Sequence, residues 1–288
     1  MKLSRTRLGA VAMLACLALA HTAAAGTATL ESDRMRVQLD DAFPRIIQYT
    51  WKADGSILYG QAETLSKVRI TLFRNAQDGL SGAPTFHGSK EAIKAAVPSE
   101  TDTTKEYTPK VTFRKVSAAA AAYELAVPEL DITVKVAVKV TNNALVFGIP
   151  EIRGGGERKI RAIAFPDHSL VSVRSLQPGA RVSAALLSVG EKNQKEIFEA
   201  LADKAAEEKP ANWSYAILNT DKLAATVYGN VLLDKQRLVT RVTEKDGVKS
   251  CGLWCPKWAW REAPYERFDV PAAIVLVTPD VNGDGKVD

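Results

Sequence analysis

The segment Asp280-Val281-Asn282-Gly283-Asp284-Gly285-Lys286-Val287-Asp288 has the residue types and spacing of a cation loop. Oxygen side chains fall at relative positions 1, 3, 5 and 9 (Asp280, Asn282, Asp284 and Asp288), with Gly285 at position 6. Calcium takes about six to eight oxygen ligands. An EF-hand-type loop supplies them from these positions, with a glycine for the sharp turn and a backbone carbonyl at position 7, here Lys286. Asn-Gly-Asp-Gly is also good turn chemistry, so an acidic turn is the plain alternative. Position 12, normally a bidentate acid, would be residue 291, past Asp288. Ca2+ is thus the expected cofactor, at a site short of one ligand. Millimolar calcium should shift the melting temperature of this chain little. A chain extended by a position-12 acid should gain about 2.7 kcal/mol at a hundredfold excess over Kd. If calcium leaves the extended chain unmoved, with Asp284→Ala equally silent, the loop is only an acidic turn.

Other chemistry-bearing residues are sparser. Trp254, Trp258, Trp260 and Tyr265 cluster near Arg261, and exposed aromatics can stack on sugar faces; core packing is the competing reading. Cys251 and Cys255 enclose Gly-Leu-Trp, and Gly252 would help a turn close a disulfide. Free thiols are the alternative, and a zinc site would need ligands that the scattered histidines do not supply. His87 and His168 lie outside any metal-spaced cluster, and Pro166-Asp167-His168 reads as a turn with a satisfied histidine. Glycoside hydrolysis needs two carboxylates about 5 to 9 Å apart, and no spacing singles out such a pair. No catalytic residue is assigned.

These residues must be carried by an exported chain. Lys2, Arg5 and Arg7 precede an apolar run from Leu8 to Ala20, and Ala23-Ala24-Ala25 offers small residues for cleavage before Gly26. That is the layout of a secretory signal peptide, and the run is short for a bilayer span of about 20 apolar residues. Leu14-Ala15-Cys16 is a poor match to a lipoprotein site. The expected destination is the periplasm or medium of a bacterium. Losing the three basic residues of the leader lowers the formal charge from +5 to +2. So small a charge on so long a chain gives no electrostatic case for nucleic acid.

Strand signals dominate the rest. Asp131 to Thr141 alternates, with Ile132, Val134, Val136, Val138 and Val140 on one side. Asn142-Asn143 tolerates positive φ, and Ala144 to Ile149 is apolar again, which reads as a hairpin. Shorter strands are expected at Val68–Phe73, Tyr123–Val127, Ser214–Asn219, Ala224–Tyr228 and Ala272–Val277. Ser188 and Glu191 have capping-box spacing, and Ile197, Phe198, Leu201 and Ala205 follow at helical spacing before Pro210, so one short helix is expected there. Lys90 to Lys110 is polar and reads as a long loop. The class is all-β, two packed antiparallel sheets forming a large sandwich. The expected division is a signal peptide at 1–25, the sandwich at 26–278 and the acidic loop at 279–288.

Several stretches carry a resemblance. Phe43-Pro44-Arg45-Ile46-Ile47-Gln48-Tyr49 with Ala53-Asp54-Gly55-Ser56-Ile57-Leu58-Tyr59-Gly60 resembles the opening of the galactose-mutarotase-like sandwich in glycoside hydrolase family 101. Phe165 to Val173, Tyr215 to Tyr228 and the ending Pro279 to Asp288 are similar to that family too. The resemblance implies a supersandwich that precedes the catalytic barrel of an endo-α-N-acetylgalactosaminidase. Such enzymes release Gal-β1,3-GalNAc from mucin-type O-glycoproteins, with nucleophile and acid/base on the barrel. The chain is then expected to be a non-catalytic module ending before the barrel, its partners an O-glycan or that barrel. A standalone carbohydrate-binding protein, resting on the Trp254–Tyr265 cluster, and an aldose mutarotase-type epimerase are the alternatives.

Overall fold

Alternation of apolar and polar residues sets the architecture, because a strand with every second side chain apolar must bury one face. The computed structural model describes residues 26–72, 104–154, 160–187, 195–229, 238–259 and 272–280. The first strands in chain order are β1 (Thr27–Glu31), β2 (Met35–Asp40), β3 (Ile46–Trp51), β4 (Ile57–Tyr59), β5 (Val68–Leu72) and β6 (Thr104–Tyr107). There follow β7 (Lys110–Ser117), β8 (Ala120–Val127), β9 (Ile132–Thr141), β10 (Ala144–Gly154), β11 (Ile160–Ala164), β12 (Val171–Arg174) and β13 (Arg181–Leu186). The last are β14 (Lys195–Ala200), β15 (Ala211–Trp213), β16 (Tyr215–Asn219), β17 (Leu223–Gly229), β18 (Leu238–Lys245), β19 (Val248–Trp254), β20 (Trp258–Ala259) and β21 (Ala273–Pro279).

Among the described residues these strands form three antiparallel sheets. An eight-stranded sheet runs β1-β2-β3-β4-β12-β19-β18-β15, and a nine-stranded one runs β14-β13-β16-β17-β21-β10-β9-β8-β7. The smaller β20-β11-β5-β6 sheet adds to the two that the sequence implies. The two large sheets pack face to face through one core, with Val37, Tyr49, Val173 and Leu253 from one meeting Tyr123, Val136, Phe147, Leu218 and Val275 from the other. A tyrosine buried with its polar tip needs a partner for the hydroxyl. Both core tyrosines have one: Tyr49 Oη donates to the Leu170 carbonyl and Tyr123 Oη to the Asp40 carbonyl, each at 2.7 Å.

The expected hairpin is β9–β10. Ile132, Val134, Val136, Val138 and Val140 are buried, Asn142 takes φ 49°, and Thr141 pairs with Ala144. The expected helix does not form where it is described. Lys195–Ala200 is edge strand β14, paired with β13 from Arg181↔Ala200 to Leu186↔Lys195, and only a 3-10 turn, Leu201–Asp203, follows. The apolar residues at 197, 198 and 201 fit either period over so short a window, and pairing with β13 decides it. Ser188 and Glu191 lie outside the described residues. The polar stretch read as a loop also contains strand: Thr104–Tyr107 is β6, on the edge beside β5.

Candidate functional site

The eight-stranded sheet carries a groove of about 450 Å³ on its outer face. It arises from three neighbouring strands whose alternate residues point away from the core. Val171, Val173, Cys251, Leu253 and Val242 turn inward, so Ser172, Arg174, Ser250, Gly252, Trp254, Arg241, Thr243 and Lys245 turn outward. Register then sets them in rows. One row is Ser172–Gly252–Arg241, the next Arg174–Ser250–Thr243, and the third places Val248 beside Lys245. Adjacent strands lie roughly 4.8 Å apart, so each row is about a sugar ring wide.

The chain at Gly60 to Glu63 walls one side, and a buried ion pair holds it there. Arg45 donates through Nε (2.9 Å) and Nη2 (2.6 Å) to one oxygen of Asp40, a side chain 1% exposed. Its Nη1 donates to the carbonyls of Gln61, Ala62 and Glu63 at 3.1, 3.2 and 3.3 Å. Ser172 Oγ donates to the Gly60 carbonyl at 2.6 Å, and the Ser169 N–H donates to Gln61 Oε1 at 3.2 Å. Glycine is required at two places here. A Cβ on Gly60 would stand 2.2 Å from the Ile46 carbonyl oxygen, and one on Gly252 would stand 2.0 Å from Ser169 Oγ. The floor of the groove is therefore the bare backbone of β19 with the Ser169 hydroxyl above it.

The turn between β11 and β12 sorts three consecutive residues. Asp167, at φ 53°, and Ser169 face the groove, while His168 between them enters the core. His168 is 1% exposed, packed against Phe147 and Phe165 with ring centroids 5.7 and 5.6 Å away. Neither ring nitrogen reaches a hydrogen-bond partner among the described residues, which corrects the expectation of a satisfied histidine. Burial depresses its pKa to about 4; the Pro44 backbone pulls the other way without reaching bonding geometry, and the Arg45 cation adds to the lowering. A neutral imidazole sealed from the groove is not placed to exchange protons with a ligand there.

The sequence-marked aromatics separate. Trp254 lines the groove at 5% exposure. Trp258 is core: it stacks on Phe147 at 5.5 Å and 14°, and its indole N–H donates to the Ala272 carbonyl at 2.7 Å, leaving no face for a sugar. Trp260 and Tyr265 lie outside the described residues, as do His87, Asn282, Asp284, Lys286 and Asp288. Asp280 follows β21, where its N–H donates to the Lys222 carbonyl at 2.9 Å. No group of three or more metal-ligating side chains occurs among the described residues.

Cys251 and Cys255 are both buried and free, which corrects the expected disulfide. β19 runs on to Trp254, so the chain is extended over three of the four steps from Cys251 to Cys255, whereas a bridge needs Cα atoms within ~7 Å and hence a turn between them. Burial pushes both thiols up to about 12. The chain without its first 25 residues should therefore show two titratable thiols when unfolded without reductant, and neither should react quickly while folded. Finding none after unfolding would restore the bridge.

The groove's cations and hydroxyls were not singled out by sequence. Period-two alternation in Val171–Arg174, Leu238–Lys245 and Val248–Trp254 marks them as outward-facing, but nothing local says these strands are neighbours.

The fold places the chain among large antiparallel β-sandwich domains, a class that by itself fixes no function. Residues 30–78 and 84–288 match the galactose mutarotase-like fold domain, and the chain belongs to that family. It is 24% identical over 278 residues to a protein of Renibacterium salmoninarum described as "Putative endo-alpha-N-acetylgalactosaminidase", covering 90% of this chain and 16% of that protein's length. Among solved structures it is similar to the α-N-acetylgalactosaminidase NagBb of Bifidobacterium bifidum (TM-score 0.47, 8% identity, 88% of this chain and 35% of that one). A galactose mutarotase-like protein of Lactobacillus casei is also similar (TM-score 0.45, 10% identity, 88% of this chain and 99% of that one).

Proposed function

We propose that this chain is a non-catalytic β-sandwich module of an endo-α-N-acetylgalactosaminidase-like glycoside hydrolase acting on mucin-type O-glycans, with the groove as its saccharide contact. One observation carries the reading: likeness to such an enzyme runs through 90% of this chain yet occupies 16% of the relative's length. The groove is in keeping with it. Hydroxyls of Ser169 and Thr243 and the Arg174 and Arg241 guanidinium groups are short donors and acceptors of the kind that bind a polyol, while Trp254, 5% exposed, adds little apolar surface. The leader-like residues 1–25 support export of the chain. No described helix is long and apolar enough to cross a membrane.

The test has two arms. Incubated with a chromogenic Gal-β1,3-GalNAc-α substrate, the purified chain should release no more chromophore than buffer does. Calorimetric titration with Gal-β1,3-GalNAc should show weak binding, with Kd in the range of about 0.1 to 1 mM, roughly 4 to 5 kcal/mol of binding free energy. Turnover above the blank would overturn the non-catalytic assignment. Silence in the titration at several millimolar would remove the saccharide role of the groove.

A further inference from the structure

Among the described residues several arginines meet a carboxylate: Arg36 with Glu31, Arg45 with Asp40, Arg69 with Glu106 and Arg153 with Glu151. Arg174 does not. Its guanidinium lies over the Tyr59 ring, Cζ 3.8 Å from the centroid, and no ion pair joins it to an acid among the described residues. Stacking fixes the plane of the guanidinium and uses its face, which leaves the N–H edge free to meet a ligand in two parallel hydrogen bonds. The next two positions in its row are the hydroxyl residues Ser250 and Thr243. Lys245, likewise without an acid partner among the described residues, closes the far side.

The other groove charges stand elsewhere. Arg241 is engaged, its Nε donating to the Glu207 carbonyl at 3.4 Å and its Nη1 standing 3.9 Å from Asp167. Asp167 is thereby answered beside the Ser172–Gly252–Arg241 row, and Glu63 lines the groove from the Gly60–Glu63 wall. Asp246 follows Lys245 in the β18–β19 turn and lines the same end of the groove, so a carboxylate stands beside the lysine there. What sets Arg174 apart from these charges is a guanidinium held in plane over Tyr59 with no acid paired to it among the described residues.

We infer that the groove takes an acidic saccharide, with the ligand's carboxylate or sulfate seated on the edge of Arg174 and its neutral ring over Ser250 and Gly252. This rests on the reading of the groove as a saccharide site and adds the class of saccharide. A carboxylate and a sulfate ester present the same paired oxygens to a guanidinium, so the ligand series must separate them.

The experiment is calorimetric titration of the full chain with three probes: neutral Gal-β1,3-GalNAc, the same disaccharide carrying one sialic acid, and the same disaccharide carrying one sulfate. At least one acidic probe should bind roughly tenfold tighter than the neutral one, as a charge-assisted bidentate contact requires. Which one does so identifies the anion. Arg174→Gln should weaken the acidic probe about tenfold more than the neutral one, so that the two affinities become equal. Arg174→Lys, which keeps the charge without the fork, should restore only part of the preference. Equal affinity for all three probes, or a preference that survives Arg174→Gln, overturns the inference while the saccharide site stands. If no probe binds, the saccharide site itself falls and the inference falls with it.

Discussion

Asp40→Ala should cost about 3–5 kcal/mol of stability, because it strands a charge in the sandwich edge. Asp40 is 1% exposed and the Arg45 side chain 11%, so solvent cannot replace the lost partner. The carboxylate also accepts from the Ala42 N–H at 2.9 Å, which stays buried in part when it is gone. The cost should not end with stability. Arg45 ties the Gln61, Ala62 and Glu63 carbonyls, so a guanidinium released from Asp40 loosens the wall of the groove. Removing both charges in Asp40→Ala/Arg45→Met should recover part of the loss, since no orphaned charge remains and the two sites are directly coupled. The measurement is the urea midpoint at constant m for the two single variants and the double. A single-variant cost below about 1 kcal/mol would mean that the pair is effectively solvated.

That pair shows why the sequence yielded the frame more readily than the site. The β9–β10 hairpin was legible because five alternating branched residues and Asn142-Asn143 state both the period and the turn within one short window. β14 was not, since Ile197, Phe198 and Leu201 satisfy a helical spacing and the deciding information lies in β13, on the far side of a connection. The groove is less local still. Gly60, Arg174, Arg241 and Gly252 become neighbours only because β4, β12, β19 and β18 are adjacent in that order, and no periodicity encodes strand order. Of the aromatic cluster, Trp254 and Trp258 share a segment yet part company, one to the groove and one to the core, because the chain leaves β19 between them and joins a different sheet at β20. Cys251 and Cys255 illustrate the same point from the other side. Their spacing allows a bridge only if the chain turns, and β19 keeps it extended.

Acid should destabilise the fold through His168 by about 3 kcal/mol. Its folded pKa of about 4 lies below the unfolded value of roughly 6.5. Above pH 6.5 neither state holds the proton and the term is flat. As pH falls, the unfolded chain takes up a proton that the folded one refuses, so stability declines through this window and the decline levels off once pH passes about 4. The groups around the ring keep that proton costly: Phe147 and Phe165 offer no acceptor, the Pro44 backbone stands near but makes no hydrogen bond to it, and the nearby charge is the cation of Arg45. His168→Phe keeps an aromatic ring in the cluster and removes both unpartnered nitrogens. The variant should match or exceed the parent at pH 7, since it no longer buries unsatisfied polar atoms. Its advantage should grow by about 3 kcal/mol between pH 7 and pH 4, read as the difference between the two proteins' urea midpoints, which cancels the titration of every other group. Parallel pH profiles for parent and variant would show that the imidazolium finds an acceptor, the Pro44 backbone being the nearest candidate, and that the aromatic cluster is not what holds it neutral.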